Sequence, residues 1–390
     1  MFDGALTDEE RLLRDTVREF AARELAPDAA ERDEHEHYDR TLFDRMAGLG
    51  LAGAPFPEEV GGGGLGYRAW VLVMEELGAV DMAMAVSLSV HVLSQSPVVR
   101  WGTAEQRARW LAPMLRGERM GAFALTEPSA GSDAAAIRLR ATRVGPADAP
   151  TGYRLDGTKI WISNAPEAEH YLVFATLDPE AGPSAIAAFL VEKGTPGFEF
   201  GRKERKLGIR ANPASELVFR GAEVPAANRL GREGEGYRIA LSSLGDGRIS
   251  IAAACTGIAR ASLEAATRFV AERRAFGAPL VEQQGVRFML AEMAQRVASA
   301  RALTWAAAGA KDRGESIADA SSLAKWTASD AAMSVASDAV QLFGAAGYSR
   351  ENPVERYMRD AKGAQIYEGT NQVHRLIVAD QLLKGLGLGG

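Results

Sequence analysis

The hydrophobic pattern of this 390-residue chain changes period twice, and that change limits the possible folds more than any single motif does. Up to about residue 120, apolar positions such as Leu13, Val17, Phe20 and Ala21 recur every three or four residues, as on one face of a helix. Thr7-Asp-Glu-Glu10 has capping-box spacing, so a helix is expected to start there. From 121 to 232 the runs become short and β-rich: YLVFATL (171–177), AIAAFLVE (185–192) and SELVF (215–219), each bounded by turn residues. Asp156-Gly157, between YRL and TKIWIS, predicts a hairpin because both turn positions favour positive φ.

From 233 onward long alanine-rich segments return. Val286, Leu290, Met293 and Val297 form one stripe, and Gly344 and Gly347 mark a helix end. The expectation is an α+β multi-domain chain: an N-terminal α-helical domain (1–120), a middle β-barrel or sandwich domain (121–232) and a C-terminal four-helix bundle (233–390). The α–β–α order, without alternating βαβ units, disfavours a Rossmann enzyme. Gly61, Gly63 and Gly66 do satisfy G-x-G-x-x-G, with Asp81 twenty residues after Gly61. A dinucleotide fingerprint needs a buried strand just before it, and Pro55-Phe-Pro-Glu-Glu-Val60 cannot be one, so this stretch reads as a loop.

Composition excludes several classes. Apolar residues are 47% and charged residues 25%, enough for a sizeable core, and the net charge of −6 argues against general nucleic-acid binding. The single cysteine, Cys255, rules out an internal disulfide framework; its setting, ISIAAACTG, suggests a buried small hydrophobe. The opening MFDGALTDEERLLRD is acidic and lacks the basic-then-apolar plan of a signal peptide. No uninterrupted apolar run approaches the ~20 residues of a membrane span. A cytoplasmic protein is expected.

Several segments are candidates for chemistry. FALTEPSAGSD (123–133) ends in small and hydroxyl residues that let backbone amides approach a ligand, although alone it reads as a turn. In KIWISN (159–164), Trp161 and Ser163 fall on one strand face; the indole could cover a flat ring or simply fill a core. Arg248, in LGDGRIS, is expected to open a helix. ERRAFG (272–277) puts two guanidinium groups near a helix terminus, either as a solvated face or as pyrophosphate ligands. QLFGAAGY (341–348) is an amide followed by close-approach glycines. QIYEGTNQ (365–372) holds Glu368 directly before a glycine, where a solvated acid is the ordinary reading.

These segments, in this order and spacing, resemble the acyl-CoA dehydrogenase family of flavoproteins over essentially the whole chain. FALTEPSAGSD is similar to the family's first signature and DAKGAQIYEGTNQVHRL (360–376) to its second. The nearest resemblance is to short- and medium-chain, butyryl-type enzymes. It implies that Glu368 is the catalytic base, taking the α-proton while a hydride leaves the β-carbon for the flavin, to give a trans-2-enoyl thioester. A carboxyl of ordinary pKa ~4.3 is a feeble base, and desolvation is expected to raise it.

The resemblance further implies that Phe123, Leu125, Thr126, Trp161 and Ser163 line the FAD, with Thr370 and Gln372 near it. Arg273, Gln284, Gln341 and Gly344 would hold the pyrophosphate and adenosine end of a neighbouring subunit's FAD, in at least a dimer and usually a homotetramer. Ser132 and Arg248 would meet the CoA portion and Gly369 the thioester. No metal is implied. Electron-transfer flavoprotein is the implied acceptor, and fatty-acid or branched-amino-acid degradation the implied setting.

Some positions depart from the family pattern. Gly245 stands where relatives commonly carry Asp, with Asp246 one place later. Ala165-Pro166 and Ala345 replace glycines. Gly247 fills the place where isovaleryl- and long-chain-type relatives carry their base, which points to straight or 2-methyl-branched short or medium acyl chains. An oxygen-using oxidase and a non-catalytic scaffold are the alternatives.

Overall fold

In the computed structural model, which describes residues 6–146 and 148–388, the chain has the three-part helix–sheet–helix build expected of it. The first helix, Asp8–Phe20, starts at Thr7 with both arms of the capping box formed. Helices Gly66–Gly78 and Met82–Trp101 follow and are almost wholly buried. The glycine-rich stretch before them is a loop: Gly61, Gly64 and Gly66 all take positive φ, and no strand precedes them among the described residues. Positive φ is natural for glycine, and the lack of a strand at 55–60 disposes of the dinucleotide fingerprint.

The middle region is an eight-stranded mixed sheet. Its strands are β1 (Gly121–Ala124), β2 (Arg140–Val144), β3 (Gly152–Ser163), β4 (His170–Thr176), β5 (Ile186–Glu192), β6 (Phe198–Lys203), β7 (Ala214–Pro225) and β8 (Arg229–Leu230). They run in the order β6-β7-β3-β2-β4-β5-β8, with β1 parallel to β4. β4 is buried along its whole length, which suits the apolar run Tyr171–Ala175 at its centre.

The hairpin expected at Asp156-Gly157 is not there. Both residues lie inside β3, paired to β7 on one side, and Asp156 pairs to Arg140 of β2 on the other. Gly221 is the extra residue of a bulge on β7, at φ 65°, and its N–H donates to the Asp156 carboxylate at 2.7 Å. The turn joins β2 to β3 instead, where Thr151 N–H donates to the Val144 carbonyl and Gly145 takes φ 88°.

The C-terminal region consists of helices Gly236–Glu272, Gln284–Asp312, Ala318–Phe343, Val354–Ala364 and Asn371–Gly385. Gly344 ends the third of these at φ 62°. Arg248 does not open a helix: it lies well inside Gly236–Glu272, because Gly245 and Gly247 are tolerated within a buried, closely packed segment. Cys255, on the same helix, is fully buried, and burial pushes its thiol up to about 12, so it is no nucleophile. By length and composition, helices Met82–Trp101 and Gly236–Glu272 could each cross a membrane, although polar residues interrupt the apolar runs of both; most of each is packed inside the protein.

Candidate active site

Two consecutive left-handed residues shape the site. Glu368 takes φ 57° and Gly369 φ 90°, in the turn between helices Val354–Ala364 and Asn371–Gly385. Glycine holds such a φ freely, whereas a glutamate does so at a cost of roughly 1–2 kcal/mol. Thr370 then caps the last helix, its hydroxyl accepting the Val373 N–H at 3.3 Å. The strained backbone at 368 thus serves to aim one carboxylate.

That carboxylate points at the helix carrying Arg248. A β-carbon at Gly247 would lie 2.6 Å from Glu368 Oε1 and 2.9 Å from Oε2, so the acid fits only because residue 247 has no side chain. Oε2 is buried and has no hydrogen-bond partner among the described residues. Burial raises the Glu368 carboxyl to about 7, against the opposing pull of Arg248 and Lys325. Neither cation neutralises it by a direct ion pair. Arg248 Nε donates to the Glu368 backbone carbonyl at 3.3 Å, and Lys325 Nζ to the Gly369 carbonyl at 2.6 Å. Burial also lowers the Arg248 guanidinium, and it brings the Lys325 ammonium down to about 8. His374 closes the turn from the last helix: its Cε1 and Nε2 would be 3.3 Å from a β-carbon at Gly369. Neither ring nitrogen has a hydrogen-bond partner among the described residues, and burial lowers this imidazole to about 3, so it is neutral.

A second group of predicted residues meets at the sheet. Lys159 is fully buried and donates to the Leu125 carbonyl at 2.8 Å and to Glu127 Oε1 at 2.7 Å. Ile160 N–H donates to the Thr126 carbonyl at 3.0 Å. These bonds fasten the segment with Phe123, Leu125 and Thr126 to the strand with Trp161 and Ser163. Trp161 departs from regular strand geometry at φ 60°, where β3 and β7 shift register, and stays 52% exposed. An indole this exposed is not a core residue. Phe123 sits against Phe174, ring centroids 5.0 Å apart, while Ser132 is exposed in the loop beyond.

A third group lies at one end of the bundle. Phe269 and Phe343 stack at 4.1 Å and join the ends of two helices, bringing Arg273 and Gln341 to the same end. Arg273, Gln284, Gln341 and Gly344 are all exposed there, beside Phe276 at 95% exposure. Arg273 is about 37 Å along its helix from Arg248, and Gln341 about 24 Å from Lys325. These four therefore do not join the Glu368 turn of their own chain. Gln372 is exposed on the first turn of the last helix.

Comparison with known proteins follows this division. Residues 7–118 match the acyl-CoA dehydrogenase N-terminal domain, 122–222 the middle domain and 234–383 the C-terminal domain. The chain belongs to the acyl-CoA dehydrogenase family. An acyl-CoA dehydrogenase of Bacillus subtilis is 43% identical, over 97% of this chain and 99% of its own. The solved butyryl-CoA dehydrogenase of Megasphaera elsdenii is 42% identical with a TM-score of 0.94, covering 97% of this chain and 99% of that one. A chain from a structure described as electron transferring flavoprotein of Acidaminococcus fermentans is 45% identical with the same TM-score, at 97% and 99% coverage.

Within this acyl-CoA dehydrogenase, the departures from the family pattern have physical consequences. A β-carbon at Gly245 would be 3.1 Å from Ile317 Cδ1, so Ile317 crowds the place of the usual aspartate. Asp246 does not substitute for it: the carboxylate accepts from Ser96 at 2.6 Å and pairs with Arg100 and with Lys311 at 2.6 Å. Ala165-Pro166 is a cis peptide, and Ala345 is exposed. Lys325, His374, Lys159 and Glu127 were not singled out from sequence. The only cue to Lys325 was a lysine on a face of Ser321, Ser322, Ala324, Ala328 and Ser329, all buried.

Proposed function

We propose that this protein is an FAD-dependent acyl-CoA dehydrogenase that converts a short- or medium-chain acyl-CoA, straight or 2-methyl-branched, to its trans-2-enoyl-CoA. The observation that carries the reading is the Glu368 carboxylate: buried, raised to about 7, one oxygen without a partner among the described residues, and seated over Gly247. A group of that basicity is matched to proton abstraction near neutral pH. Glu368 takes the α-proton from the thioester, and its unpartnered oxygen is the acceptor. The backbone N–H groups beside the left-handed turn offer donors to the thioester oxygen, where negative charge grows. Arg248, Gly369 and Ser132 are assigned to the CoA and thioester portion.

The residues present fit a flavin. The half-open Trp161 indole lies on the strand to which Lys159 pins the Leu125 segment, and an exposed indole beside backbone and hydroxyl groups suits a flat ring. Phe123, Leu125, Thr126, Trp161, Ser163, Thr370 and Gln372 would hold FAD, which when bound supplies the hydride acceptor. Arg273, Gln284, Gln341 and Gly344 are assigned to the dinucleotide end of a neighbouring subunit's FAD, a reading supported by their exposure at the far end of the bundle. The assembly is a homotetramer, built as a dimer of dimers. The acceptor is electron-transfer flavoprotein, the location cytoplasmic, and no metal takes part.

Purified protein is expected to be yellow and to bleach anaerobically with butyryl-CoA. A panel of acyl-CoAs from four to sixteen carbons with a dye acceptor sets the chain length. Rapid peroxide release in air without an acceptor would identify an oxidase instead, and isolation without FAD would contradict the reading.

A further inference from the structure

Lys325 has no place in the assignments above, yet it is the most deeply buried cation beside the base. It is 0% exposed on helix Ala318–Phe343. Sequestering an ammonium group is expensive unless its partners recompense it, and an apolar residue would fill the same volume at no such cost. Its partners lie in the turn and at the first residue of the last helix. Nζ donates to the Gly369 carbonyl at 2.6 Å and to Asn371 Oδ1 at 3.2 Å, and the Asn371 amide in turn donates to Ser329 at 3.0 Å and Asp330 at 2.7 Å. The Gly369 carbonyl is one peptide from the base, and its direction follows from the two left-handed residues.

We propose that Lys325 is a positioning residue for Glu368: it fixes the Gly369 carbonyl and, as a buried cation beside the turn, favours the ionised carboxylate. This inference rests on Glu368 being the base. The groups that face the carboxylate can be named element by element. Helix Gly236–Glu272 brings Arg248 and Asp246, and Cys255 near Lys325. Helix Ala318–Phe343 brings Lys325 and, behind it, Asp330. The turn itself carries Tyr367, and the last helix carries His374. Asp246 is tied to Arg100 and Lys311, and His374 and Tyr367 are neutral. Arg248 and Lys325 are thus the two cations acting on the acid, and only Lys325 also grips the turn through Gly369.

The test compares Lys325→Gln, which keeps an amide donor but loses the charge, with Lys325→Arg, which keeps the charge. Flavin bleaching by butyryl-CoA is followed against pH, with FAD content and melting temperature recorded. Lys325 is one of the two cations that pull the Glu368 carboxyl down, and a nearby opposite charge moves a carboxyl by about one pH unit or more. Lys325→Gln is therefore expected to move the acidic limb upward by about one unit, about tenfold slower on that limb, while Lys325→Arg stays near the wild-type limb. An unmoved limb in Lys325→Gln overturns the proposal. Loss of FAD or folding in Lys325→Gln, with Lys325→Arg sound, also overturns it, because a mere brace behaves that way. Glu368→Gln is run alongside. If that variant still bleaches, the base assignment itself is wrong; if it does not, an unmoved limb counts against Lys325 alone.

Discussion

Glu368 and Gly247 share one space: the carboxylate of the first lies 2.6 to 2.9 Å from where the second would carry a β-carbon. Each residue therefore dictates the other. An acid reaching across from the turn requires glycine on the helix, and a side chain on the helix would require the acid to withdraw.

Gly247→Ala is accordingly expected to cripple turnover while leaving the fold and bound FAD in place. The new methyl would push the carboxylate aside by close to 1 Å, and misplacement on that scale can cost about 10²-fold. Single-turnover bleaching with butyryl-CoA, alongside FAD content, checks this.

The base should also set the pH profile. With its carboxyl at about 7, Glu368 is ionised above that value and protonated below it. The rate, read as kcat/KM, is expected to fall about tenfold per pH unit below an acidic limb near 7. A limb near the ordinary glutamate value would mean that burial does not tune this acid.

Stability should respond in the opposite sense. A carboxyl whose folded value lies above its unfolded one keeps its proton longer in the native state, so native stability falls as pH rises from about 4.5 to about 7. The full cost is present above 7, at about 3 kcal/mol. Glu368→Gln removes it, so the variant should melt higher than wild type at pH 8 and at nearly the same temperature at pH 4.5.

Lys159→Met should act through the flavin platform. It strands Glu127 in the core without its cation and frees the Leu125 carbonyl. Breaking a buried pair from one side costs about 3–5 kcal/mol, so a lower melting temperature and loss of FAD on gel filtration are expected.

Much of this was readable in the sequence because it rests on local rules. The capping box at Thr7, the apolar run of β4 and the helix stop at Gly344 each depend on a few adjacent residues. Asp156-Gly157 misled because a turn dipeptide loses its meaning when strands flank it on both sides. Arg248 misled likewise: glycines that look like a helix start are buried mid-helix here, one of them making room for the acid. Glu368 itself was legible only through its family motif. Its surroundings come from Lys325, Arg248 and His374, up to 126 residues apart in the chain, and no periodicity links them.

The most direct measurement is anaerobic mixing of butyryl-CoA with wild-type and Glu368→Gln protein, each loaded with FAD. The account predicts prompt bleaching of the wild type and a variant that stays yellow while still binding the thioester. Bleaching of Glu368→Gln at a rate near that of wild type would contradict it.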